Sequence, residues 1–104
     1  MTEKTRLADL ARVIRSKNAG PLLLTIDVIF DDRDSYDRVI RSGALAADRI
    51  AALYGVSHNQ TAVLPYPQAL AVKITLPRLH RSGGPGDTDV YGAQQHAPML
   101  EILV

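Results

Sequence analysis

Between Gly86 and Met99 the chain reads GDTDVYGAQQHAPM, which packs two aspartates, a tyrosine, two glutamines and a histidine into fourteen residues. His96 can exchange a proton near neutral pH with Asp89 or Asp87 orienting its ring, so acid/base catalysis is one expectation for these three residues. Asp-x-Asp with a distant His is a weak ligand pattern, and no metal or other cofactor is expected. A third reading stands ahead of both: the Asp, Gln and His side chains satisfy the loop's own backbone, or a partner's. Irregular stretches this long in compact domains are mostly functional or disordered, and Tyr91 lies in the middle of this one.

Two further clusters invite chemistry. Asp27, Asp31, Asp32, Asp34 and Asp37 suggest a divalent cation by type, but their spacing matches no calcium loop. Aspartates in the first turn of a helix cap its free N–H groups, so a structural role is expected for all but Asp27, which precedes the helix inside an apolar strand. The stretch HRSGGPGD at 80–87 reads first as a linker and second as an anion contact; it lacks the strand and helix that flank a nucleotide-binding loop. Gly-x-Ser-x-Gly, His-Glu-x-x-His and Ser-x-x-Lys are all missing, which disfavours a self-sufficient hydrolase.

The elements that must position these residues follow from periodicity. Leu7, Leu10, Ala11 and Ile14 recur at helical spacing and predict a helix over about 5–16, ended by KNAGP. LLLTIDVIF at 22–30 alternates as a strand, with Leu22, Leu24, Ile26, Val28 and Phe30 on one face. DDRDSYDRVIRSG at 31–43 predicts a helix stopped by Gly43, and a second short helix spans about 46–54. TAVLPYP and ALAVKITLP read as strands, and MLEILV at 99–104 as a closing strand.

The order of elements predicts an α+β domain of ferredoxin-like character: one antiparallel sheet of about four strands with helices on one face, occupying all of 1–104. Thr25, Asp27, Lys73, Thr75 and Glu101 would then share the face away from the helices with Leu23, Ile29, Ala71, Met99 and Leu103. That is more apolar surface than a freely solvated sheet shows, so a covering partner, self-association or the long loop is expected there.

The composition fits one ordinary folded domain: 104 residues, 46% apolar and 22% charged. Twelve Lys and Arg against eleven Asp and Glu give a net charge of +1, too small a field to favour nucleic acid or anionic lipid. With no cysteine there is no disulfide framework and no thiol nucleophile. The absence of an apolar leader or a long apolar run predicts a cytoplasmic protein outside the membrane, in which the Asn59-Gln60-Thr61 glycosylation match is chance.

Three segments together carry a resemblance: VIRSKNAGPLLLTIDVIFDD at 13–32, AVKITLPR at 71–78 and PGDTDVYGAQQHAPMLEI at 85–102. They resemble a family of small proteins of unknown function whose ferredoxin-like domain is also found at the C-terminus of acyclic terpene utilisation protein A. The resemblance implies an accessory subunit working with a large subunit of that type, in catabolism of an organic acid or acyl thioester by hydratase or lyase chemistry. By position it carries over Ser16, Lys17, Asn18, Gly20, Asp27, Lys73, Asp87, Asp89, Tyr91, Gln94, Gln95 and His96. Of these, His96, Asp89 and Asp87 are the catalytic candidates. Lys17, Asn18, Asp27, Lys73, Tyr91, Gln94 and Gln95 are candidates for binding substrate or partner. Two alternatives stand beside this reading: a small homo-oligomeric acid/base enzyme acting alone, with Lys17, Lys73 or an Arg holding the anion, and a regulatory module that binds a small acid without reacting.

Overall fold

The computed structural model describes residues 5–20, 23–77 and 97–104. In chain order these form a one-turn helix α1 (Leu7–Leu10), strands β1 (Val13–Gly20) and β2 (Leu23–Ile29), and helices α2 (Arg33–Ser42) and α3 (Ala47–Tyr54). Strands β3 (Ala62–Tyr66) and β4 (Ala71–Pro77) follow, and then a 3-10 turn over Ala97–Glu101. The four strands make one sheet in the order β1-β2-β4-β3, with every neighbouring pair antiparallel. Because β4 lies between them, β2 and β3 run parallel, and α2 and α3 carry the chain across from one to the other. This split β-α-β unit is the feature that defines ferredoxin-like arrangements. The fold is α+β, a single antiparallel sheet with helices on one face, as the sequence predicts.

Alternation sets which face is buried. Leu24, Ile26 and Val28 of β2 and Val72, Ile74 and Leu76 of β4 point the same way because directly paired residues share a face. They form one buried cluster with Phe30, with Tyr36 and Val39 of α2 and with Ile50 of α3. Phe30 and Tyr36 meet edge to face at 6.0 Å. Helix α2 forms where its ends are chemically marked: the Asp32 carboxylate accepts from the Ser35 N–H at 2.7 Å, and Gly43 closes it in the left-handed region at φ 72°.

The structure corrects the sequence reading at both ends. The helix expected over 5–16 is only Leu7–Leu10; Ala11 turns extended, and residues 13–20 pair with β2 as an edge strand. The strand lacks an apolar alternation because its core-facing positions beyond Ile14 are Ser16 and Asn18, so tertiary pairing overrides a helix-like spacing. KNAGP therefore ends no helix: Lys17 to Gly20 complete β1, with a register irregularity between Asn18 and Gly20, and Pro21 lies outside the described residues. The closing strand expected over 99–104 is also absent from the sheet. Residues 102–104 pair instead with the N-terminal segment: Leu7 N–H donates to Ile102 O at 2.7 Å, Thr5 N–H to Val104 O at 3.1 Å and Val104 N–H to Thr5 O at 2.8 Å. Met99 is fully buried in the core cluster, while Leu103 is 53% exposed. Met99, Glu101 and Leu103 therefore do not join Thr25 and Asp27 on the free sheet face.

Candidate docking face of the sheet

The face of the sheet turned away from the core is built in rows by the strand register. One row runs Val13, Ile29, Ala71, Tyr66; the next runs Arg15, Asp27, Lys73, Leu64; the third runs Lys17, Thr25, Thr75, Ala62. Leu23 and Pro77 close the end beyond them. A charged row is thus bracketed by an apolar row on one side and by threonines on the other. Three of the large apolar side chains exposed on the chain stand here: Leu64 at 50%, Leu23 at 45% and Tyr66 at 45%. Leu64 and Tyr66 adjoin on β3, with Ala71 and Ile29 continuing the row of Tyr66, while Leu23 stands apart at the far end of the face. Adjoining apolar surface of the first kind marks binding sites more often than plain solvated surface.

Asp27 sits at the centre of this face and is the least exposed of its charged groups. Its carboxylate lies 3.6 Å from the Arg15 guanidinium, with 22% of the Asp27 side chain exposed against 66% of Arg15. Lys73 stands directly opposite Asp27 across the β2–β4 pair. An exposed pair of this geometry contributes only about 0–1 kcal/mol to stability, so folding alone gives little reason to put a carboxylate within an apolar strand.

Among the predicted site residues, the fold brings Asp27 and Lys73 side by side and sets Lys17 one row along on β1. Asn18 alternates to the core side of β1, half-buried and engaged, and Ser16 is buried there as well. Asp87, Asp89, Tyr91, Gln94, Gln95 and His96 lie outside the described residues. Sequence periodicity does not single out Arg15, because its segment has helical spacing; as part of a strand, its alternation with Ser16 places it beside Asp27.

The other aspartates take structural partners. Asp32 caps α2, Asp34 lies in its first turn, Asp37 approaches Arg33 at 3.5 Å one helical turn away, and Asp31 approaches Arg12 at 3.7 Å. Among the described residues no group of three His, Cys, Asp or Glu side chains is placed to hold a metal ion. No helix of the described residues is long and apolar enough to cross a membrane. A depression of about 180 Å³ between α2 and β3 is lined by Ile40, Leu45, Val63 and Pro65 among others, with no titratable side chain. It is smaller than the usual small-molecule site and lacks the convergent polar groups that would orient a substrate.

Fold and surface together define a small α+β protein of the ferredoxin-like kind with one exposed, mixed apolar and cationic sheet face. A family model described as Domain of unknown function (DUF4387) matches residues 7–103, and the chain belongs to that family. No curated protein and no solved structure matches the chain.

Proposed function

We propose that this chain is a small accessory subunit that docks through the exposed face of its sheet onto a large catalytic partner. The observation that carries the reading is the exposure of Leu23, Leu64 and Tyr66 on one side of a sheet whose other side holds the whole described core. The sequence resemblance described above suggests the partner's class: a large subunit of the acyclic terpene utilisation type, acting in the cytoplasm on an organic acid or acyl thioester with hydratase or lyase chemistry. In this reading residues 86–97 belong to the interface or to a site shared between the subunits, with Asp87, Asp89 and His96 as candidate proton-handling groups.

Native mass spectrometry of the chain purified from its own cells tests this, because mass reports partner and stoichiometry together. A complex with one large subunit is the expected result. A clean monomer or a homo-oligomer, with full activity of the large subunit when this chain is deleted, would remove the proposal.

A further inference from the structure

The charges on the exposed sheet face narrow what docks there. Arg15, Lys17 and Lys73 oppose a single carboxylate, Asp27, and that carboxylate is already approached by Arg15 at 3.6 Å. Lys17 and Lys73 are both exposed and have no carboxylate partner among the described residues. Two strand spacings and one row separate them, about 12 Å from pleated-sheet geometry, with Thr25 and Asp27 of β2 between the strands they occupy. Leu64 and Tyr66 extend the same face on the far edge.

From this arrangement we infer that the face receives an acidic protein surface: an apolar strip seated on Leu64, Tyr66 and Ile29, flanked by two carboxylates about 12 Å apart that pair with Lys17 and Lys73. The inference rests on the accessory-subunit reading and gives that partner its chemistry. A second copy fits poorly, since stacking two such faces sets three cations against three with no free carboxylate to separate them. Single-stranded nucleic acid fits poorly too, because stacking platforms present several aromatics in the centre of a sheet. This face has one, Tyr66, on an edge strand, and a carboxylate at its centre.

The test is carbodiimide cross-linking in cells producing the full chain, which joins a lysine amine to a carboxylate in direct contact, followed by peptide mapping. Links from Lys17 and Lys73 to Asp or Glu residues of one second protein are expected. The double variant Lys17→Glu/Lys73→Glu also removes the amines that link, so its docking is read by co-purification: it should lower the second protein recovered with the chain about tenfold or more, whereas Arg49→Glu on α3 leaves that recovery unchanged. All three positions are exposed, so the variants should keep the wild-type far-ultraviolet circular dichroism. Links to a second copy of the chain, links from Lys73 only to Asp27 of its own chain, no links at all, or oligonucleotide binding that Lys73→Glu abolishes would each overturn the inference. The two proposals fail separately. Links to an acidic protein that is not a terpene-utilisation large subunit leave this inference standing and remove the partner class proposed above. Assembly with such a subunit that survives Lys17→Glu/Lys73→Glu does the reverse.

Discussion

Met99→Ala separates the observed C-terminal packing from the alternation its sequence suggests. Met99 is fully buried, in one cluster with Leu7, Leu24 and Ile74, at the point where the last turn meets α1. Truncating a buried methionine removes its transfer free energy and leaves a cavity, a cost of about 2–5 kcal/mol in cores that relax only in part. The segment is held to residues 5–7 by three backbone hydrogen bonds, which limits how far it can collapse into the space. A loss of about 3 kcal/mol is therefore expected, a large share of the ~5–15 kcal/mol typical of a domain. At ~4–8 °C per kcal/mol for a domain of this size, the melting temperature should fall by about 12–24 °C. Leu103→Ala, at a 53% exposed position, should cost less than about 0.5 kcal/mol. Thermal melts followed by far-ultraviolet circular dichroism suit a chain without tryptophan. Were 99–104 a strand of the sheet, Met99 and Leu103 would share one face, so equal losses from the two substitutions would refute the packing described here.

Three further outcomes follow from local chemistry. Asp32→Ala should destabilise by about 1 kcal/mol in urea titrations, since it removes the acceptor that holds the Ser35 N–H at 2.7 Å. Gly43→Ala should cost about 1–2 kcal/mol although no atom stands near the added methyl, because φ 72° is the left-handed region that a side chain resists; an unchanged midpoint would contradict that backbone reading. Burial pushes the Tyr54 hydroxyl well above its ordinary pKa of about 10. The unfolded chain then releases that proton first, so stability is fully present below about pH 10 and falls as pH rises beyond it. Tyr54→Phe should flatten that alkaline loss, measured as denaturation midpoint against pH.

What could be read from sequence was what local rules control. The Leu24–Ile26–Val28 alternation, the aspartate that opens α2 and the glycine that closes it each act within a few residues, and the structure places them as expected. The ends were hidden because their outcome depends on distant pairing. Leu7, Leu10, Ala11 and Ile14 have helical spacing, yet residues 13–20 gain more by completing the edge of β2, a choice that Ser16 and Asn18 on the core side do not advertise. Met99 to Val104 alternates like a strand, yet its partner is the N-terminal segment, in an isolated bridge between Arg6 and Leu103. On the exposed sheet face, Asp27 and Lys73 are legible because the alternation of β2 and β4 fixes their side of the sheet. Arg15 is not, since its place beside Asp27 exists only once β1 is a strand.

The central claim, that the exposed sheet face is the docking face, is tested most directly by lysine acetylation footprinting of the free chain and of its native complex. Only three lysines occur, and two of them, Lys17 and Lys73, stand on that face; labelling is scaled to an unrelated reference peptide added to both samples. Lys17 and Lys73 should react readily in the free chain and lose most of their reactivity in the complex, relative to the reference peptide. Equal labelling of Lys17 and Lys73 in the two states would contradict it.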